Sequence, residues 1–315
     1  MKKSFSVILL GLILVVAVLL LGPLWWIVYH PSVATFALTE PPSVFLQNTE
    51  ARTPGIKPGN ESRIGWGGEI GKKTDFVFVY IHGFSAGPSE ISPVVENLAE
   101  KFSANSYFPR LSAHGKTDDV MENLSADDLF NDAERAYVLA KELGQKIVLV
   151  GTSTGATLAL WLAERHADVA GLVLVSPNLG IKDPRGFLAA GPVGYLLARL
   201  IAGPYHDWTP RHPGQEQFWT THYSVNGIRA MTDVVNEVAH SDLSAVKVPV
   251  LCFWTSLDKV VDSALAIRQL QLLSNSKNKF VEIKTTEHVL AGKITASENV
   301  QSVGTEAAEF IKANF

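Results

Sequence analysis

Between Phe76 and Val175 the chain alternates short apolar runs with longer stretches whose apolar residues recur every three or four positions. The runs at 76–81, 106–111, 146–150 and 170–175 are rich in Val, Ile, Leu and Phe and have strand length. Residues 89–102, 126–143 and 154–166 carry helical spacing, as in Leu129, Ala133, Ala136, Ala140 and Leu143. Strands apolar throughout belong to a sheet buried on both faces, and the intervening helices supply the cover. The pattern therefore predicts an α/β domain built on a mostly parallel sheet.

From 178 to 243 the alternation lapses. Gly, Pro and aromatic residues surround one apolar helical stretch at 194–201, after which strands at 249–254 and 280–284 and helices at 264–273 and 300–312 resume the pattern. An insertion between two halves of one sheet reads as a cap over the ends of the strands. Its helix, with Tyr195, Leu196, Leu197, Leu200 and Ile201, is too apolar to lie wholly in water. One side is expected against the core and the other toward a substrate, which makes Leu197 and Leu200 the candidate substrate-binding residues. Packing on the core or on a bilayer alone is the competing reading.

The N-terminus departs from all of this. No Asp, Glu, Lys or Arg occurs between Lys3 and Glu40, and Val7 to Tyr29 is almost wholly apolar, with Trp25, Trp26 and Tyr29 at its end. At about 1.5 Å per residue this stretch reaches roughly 34 Å, enough to cross a hydrocarbon core of about 30 Å. Residues 1–30 are expected to form a single-pass transmembrane anchor, with Lys2 and Lys3 on the cytoplasmic side and the remaining chain outside. A cleaved signal peptide is the rival, since Thr35-Phe36-Ala37 loosely fits a small-x-small site. Residues 31–63 contain Pro31, Pro41, Pro42, Pro54 and Pro58 and read as an extended tether, leaving 64–315 for the folded domain.

Composition narrows the function classes. A net charge of −4 offers no counterion-releasing surface for a polyanion, so no nucleic-acid partner is expected. The single cysteine, Cys252, lies in an apolar run and excludes an internal disulfide or a cysteine-based metal site. No His-Glu-x-x-His pair, EF-hand loop or phosphate-binding glycine loop is present, and no cofactor is called for.

The chemistry lies at Gly151-Thr152-Ser153-Thr154-Gly155, between an apolar strand and an alanine-rich helix. G-x-S-x-G in that context forms a nucleophile elbow, a crowded strand-to-helix turn that presents Ser153 at a helix N-terminus. A serine needs a base, and in an elbow-type site the order along the chain is Ser, then an acid, then His, each after a strand. His288 follows the 280–284 strand and is the candidate base. The orienting acid is Asp258, just after the 249–254 strand, with Asp262 as its competitor and a helix-capping role as the alternative for that residue. His82-Gly83-Phe84 ends the 76–81 strand, where an oxyanion donor is required, and the Phe84 and Thr154 amides form the expected pair. His166, His206, His212, His222 and His240 lack a strand-end position and are read as surface or structural.

The segments YIHGFSAGPSEISP, PRLSAHG, LVGTSTGATLALWLA, LVSPNLG, LDKVVD and EHVLAG resemble the α/β-hydrolase superfamily, nearest its carboxylesterase and monoacylglycerol-lipase-like branch. The resemblance spans 76–315. It implies the α/β-hydrolase fold, a triad of Ser153, Asp258 and His288, an oxyanion hole at Phe84 and Thr154, and a structural role for the His114-Gly115 turn. Many members carry His or Met beside the serine, where this chain has Thr152 and Thr154, so the elbow does not indicate the substrate. The expected activity is hydrolysis of a small-molecule or lipid carboxylic ester. Thioester, amide or perhydrolysis chemistry on the same triad, and a non-enzymatic tethered binding protein, are the alternatives.

Overall fold

A computed structural model describes residues 29–117, 121–183 and 191–315, together with Gly11; the side chains of 191–193 and Leu197 are not described. The predicted anchor therefore lies outside the described residues apart from Gly11, Tyr29 and His30. Among the described residues no helix is long and apolar enough to cross a membrane.

In chain order the elements are α1 (Pro42–Ala51), β1 (Arg63–Gly65), β2 (Thr74–Ile81), α2 (Val94–Lys101), β3 (Asn105–Phe108), α3 (Ala126–Leu143), β4 (Gly144–Thr152), α4 (Thr154–Arg165) and β5 (Val169–Val175). There follow α5 (Gly191–Ala202), β6 (Tyr205–Asp207), α6 (Gln215–Phe218), β7 (His222–Ser224), α7 (Val225–Ala239), β8 (Val250–Trp254), α8 (Ser263–Leu270), β9 (Lys279–Glu282) and α9 (Val300–Asn314). Strands β1-β3-β2-β4-β5-β8-β9 form one sheet, parallel except for the antiparallel edge pair β1–β3, while β6 and β7 make a separate hairpin.

The period-2 alternation of strand side chains divides the core in two. Val77, Val79 and Ile81 of β2 face a cluster that includes Leu129, Leu139, Leu158 and Trp161, whereas Phe78 and Tyr80 face one built from Ile91, Val95, Leu98, Val303 and Ile311. Each predicted strand and helix from Phe76 to Val175 is present, with ends shifted by a few residues. Helix α3 begins at a capping box in which Ser125 Oγ accepts the Asp128 amide and Asp128 returns a bond to the Ser125 amide.

Two expectations need correction. Residues 31–63 are not an extended tether. Pro42 sits in the first turn of α1, where its missing N–H costs nothing, so the paired prolines start a helix. Leu46 is buried, Tyr29, Val33, Phe36 and Leu38 pack on the core, and the Ser32 and Ala34 amides donate to Asp127 (2.6 Å) and Asn131 (2.8 Å) of α3. Arg110 closes the strap with an ion pair to Glu50 at 3.2 Å, both side chains largely buried. The cap of 178–243 is likewise smaller than expected, because its last helix belongs to the domain core. Val225, Ala230, Val234 and Val238 of α7 are buried, and α7 packs against α3 and α4.

Candidate active site

Every candidate catalytic residue stands at the C-terminal end of a sheet strand. Ser153, between β4 and α4, has φ 53° and ψ −118°. A non-glycine residue at positive φ is strained, and the surrounding glycines permit it. A Cβ on Gly151 would fall 2.5 Å from the Gly155 carbonyl, and one on Gly155 would collide with the carbonyl oxygens of Ile81 and His82. Strand β4 and helix α4 thus meet β2 at a distance that only glycine allows.

Asp258 and His288 are joined directly. His288 Nδ1 lies 2.8 Å from Asp258 Oδ2, and Asp258 Oδ1 accepts the amides of Val260 (2.7 Å) and Val261 (3.1 Å). Burial opposes ionisation of Asp258, but the bond and charge of His288, with the two amides, outweigh it and hold the carboxyl below the usual aspartate range. Asp262 instead caps α8, accepting the Leu265 amide at 3.0 Å. His288 and Ser153 are tied to consecutive residues of β5 and its end: the Ser153 amide donates to Val175 O (2.9 Å) and Ser176 Oγ donates to His288 O (2.7 Å). His288 Nε2 is buried and makes no hydrogen bond among the described residues.

The oxyanion elements follow from backbone orientation. His82 Nε2 accepts the Leu111 amide at 3.1 Å, so the ring proton resides on Nδ1 and is donated to Gly83 O at 2.9 Å. Burial pushes His82 well below the ordinary histidine range, which keeps that neutral tautomer. Gly83 O also accepts the Ala86 amide. With this carbonyl fixed, the trans peptide turns the Phe84 N–H to the opposite side. Thr154 is the first residue of α4, so its N–H has no acceptor within the helix. A Cβ on Gly83 would lie 3.3 Å from Ser153 Cβ, which puts this loop against the serine.

The other predicted residues are placed differently. Leu200 is 82% exposed on α5, and Leu196 and Ile201 are also exposed, so the structure does not bring Leu200 to the triad. The side chain of Leu197 lies outside the described residues. His114 is buried beside the site, 5.2 Å ring to ring from His82 and 5.6 Å from Phe84. His166 pairs with Glu134 (2.9 Å), His222 with Asp207 (2.7 Å), and His212 with Glu287 (3.3 Å), while His206 lies against Tyr223. Three neighbours of the site escaped sequence reasoning: Tyr223, edge-on to Phe84 at 5.2 Å; Met231, whose sulfur accepts from Nδ2 of Asn178, the residue whose amide donates to Ser153 O at 3.2 Å; and the buried Glu90. The apolar periodicity of 225–238 was the available signal for Met231.

Comparison with known proteins agrees with this fold. The chain is 28% identical to the thermostable monoacylglycerol lipase of Bacillus sp. (strain H-257) over 66% of its own length and 81% of that protein. Among solved structures it is similar to the metagenome-derived lipolytic enzymes LipS and LipT (TM-score 0.67, 20% identity, covering 82% of this chain and 99% of that one). It is also similar to the Paleococcus ferrophilus monoacylglycerol lipase (TM-score 0.62, 19% identity, 81% and 98%). At those identities the solved structures speak for the fold. The alpha/beta hydrolase family matches residues 77–291, more than half of the chain and all the candidate site residues, and the chain belongs to that family.

Proposed function

We propose that the protein is a serine hydrolase of carboxylic esters, of the lipase or carboxylesterase kind, working through an acyl-enzyme. The observation that carries the reading is the Asp258–His288 bond together with a strained, elbow-borne Ser153 and a buried His288 Nε2 that has no partner among the described residues. Ser153 Oγ attacks the ester carbonyl carbon as His288 Nε2 takes its proton, and Asp258 stabilises the resulting imidazolium. Negative charge collects on the former carbonyl oxygen, where the Phe84 and Thr154 amides donate to it at the positive end of α4. The tetrahedral species collapses as His288 returns the proton to the leaving alcohol. Water, deprotonated by the same imidazole, then releases the acid.

A lipid ester suits the relatives that carry the name monoacylglycerol lipase, and the apolar neighbours Phe84, Tyr223 and Met231 offer an acyl chain a surface. We further read residues 7–29 as a membrane anchor with Lys2 and Lys3 inside and the catalytic domain outside.

The activity is tested with a panel of esters from acetate to long-chain monoacylglycerol, run on the wild-type chain and on Ser153→Ala. Turnover confined to the wild type, with fluorophosphonate labelling lost in the variant, is the expected result; undiminished turnover in Ser153→Ala sinks the assignment. The topology is tested at Leu272, which is 78% exposed, since the native Cys252 is buried. Leu272→Cys should react with a membrane-impermeant maleimide on intact cells, and reaction only after lysis reverses the orientation.

A further inference from the structure

One carboxyl group lies beneath the site and takes no part in the steps above. Glu90 is 3% exposed. Its Oε2 accepts the Gly83 amide at 2.7 Å and the Tyr80 hydroxyl at 2.7 Å. The same hydroxyl lies 3.0 Å from Thr152 Oγ1, on the residue before Ser153. A Cβ on Gly83 would stand 2.9 Å from Glu90 Oε1 and 3.3 Å from Ser153 Cβ, so the carboxyl and the serine border the same point in space. The segment around Glu90 also touches the histidine loop. A Cβ on Gly292 would meet Glu90 O at 2.6 Å, and the Lys293 amide donates to Ser92 O at 2.8 Å.

Burying a carboxyl away from solvent is unfavourable, and an apolar residue of similar size would fill the space without that cost. A carboxylate does what an apolar residue cannot: one oxygen holds two donors, one on β2 and one in the turn that follows it, in short, charge-assisted bonds. Gly83 precedes the amide of Phe84, and Thr152 precedes Ser153. The bridge Thr152–Tyr80–Glu90–Gly83 therefore links the nucleophile to the oxyanion donor across strands β4 and β2.

We propose that Glu90 is a positioning residue that clamps the Gly83 amide and the Tyr80 hydroxyl so that the Phe84 N–H stays in register with Ser153. The inference rests on the reading of Phe84 as an oxyanion donor. The groups facing the Glu90 carboxyl are Tyr80 and Gly83 from β2 and its end, Thr152 through Tyr80 from β4, and the charge of His288 from its loop. Burial raises the Glu90 carboxyl to about 7, against the opposing effects of Tyr80, Gly83 and His288, so the clamp changes its proton content near neutrality.

The test uses the full-length chain in detergent with a soluble short-chain ester, comparing Glu90→Ala, Glu90→Gln and Ser153→Ala. Glu90→Ala should lower kcat on the order of 10- to 100-fold while KM stays within about 2-fold, because the loss falls on the transition state. Glu90→Gln keeps an acceptor for both donors and should recover most of kcat, but without the ionisation near neutral pH that the wild-type profile carries. A loss expressed in KM alone, or a kcat equal to wild type in Glu90→Ala, overturns the clamp. If Glu90→Ala does not fold, an unaltered pH profile in folded Glu90→Gln overturns it equally. Turnover surviving in Ser153→Ala would instead remove the serine mechanism on which the clamp depends, and the two failures are told apart in one experiment.

Discussion

The floor of the candidate site and helix α5 of the insertion follow opposite rules. In the floor, Ser153, His82 and Glu90 are buried, the positions of Gly151 and Gly155 admit no Cβ, and the amides and carbonyls of the loop are fixed by named partners. On α5 of the insertion, Leu196, Leu200 and Ile201 are 62%, 82% and 73% exposed, and among the described residues no comparable network holds them. Transition-state charge is stabilised by dipoles that need not reorganise, so the chemistry demands a stiff floor. Acyl groups are recognised by nondirectional apolar contact, which tolerates a softer wall. The lesson is that backbone constraint marks the floor of the candidate site, whereas the exposed apolar face of α5 carries none of it.

The sharpest way to break this contrast is within one loop. Asp258→Asn should lower kcat by about 10⁴-fold by fixing the wrong imidazole tautomer, whereas Asp262→Asn, four residues on, keeps a side-chain oxygen for the Leu265 amide and should leave kcat and the cap of α8 nearly unchanged. A larger kinetic loss from the Asp262 variant would move the acid. Substituting Gly155→Ala comes next. Its Cβ would press on the Ile81 and His82 carbonyls, so the start of α4 and the end of β2 must part and carry Ser153 away from Phe84. A drop in kcat of about 100-fold or more on every ester, with a lowered melting temperature, is the expected outcome.

A smaller effect concerns stability. Glu90 rises from about 4.5 to about 7 on folding. Between those values the folded chain binds more protons than the unfolded one, so the contribution of Glu90 is present in full below about 4.5 and is lost as pH rises through about 7. Glu90→Gln should therefore unfold at higher denaturant than wild type at alkaline pH, by on the order of 3 kcal/mol at most, with the gap closing in acid. An equal gap at both extremes would show that the carboxyl is not buried in its charged form. The smallest effects concern single apolar side chains. Met231→Ala should shift the ratio of long-chain to short-chain turnover by about 1 to 3 kcal/mol, and Leu200→Ala should leave that ratio unchanged on soluble esters. A shift as large from Leu200 as from Met231 would place α5 over the acyl site after all.

Much of the floor was readable because it is written locally. The elbow is five consecutive residues in a strand-to-helix context, and the acid and the histidine each follow an apolar run. Glu90 was not readable in this way: it is a single acid in a turn, and only the packing of β2, β4 and the histidine loop around it makes it a buried group. Helix α7 was legible in principle, with Val225, Ile228, Met231, Val234, Val235 and Val238 at helical spacing, but the interleaved polar residues and the irregular chain before it masked the period. Helix α1 was hidden by its prolines, whose meaning depends on position: at the first turn they begin a helix rather than forbid one. The three-residue edge strand β1 is too short to carry a period.

The strap of residues 29–51 has a mechanical consequence. An extended linker would be a leash, letting the domain swivel and sample a wide volume around its point of attachment. A segment bonded to Asp127 and Asn131, packed through Phe36, Leu38 and Leu46, and pinned by Glu50 to Arg110 is a splint. It leaves no slack after Tyr29, so a force applied at Tyr29 is transmitted as torque to α3 and the sheet behind it.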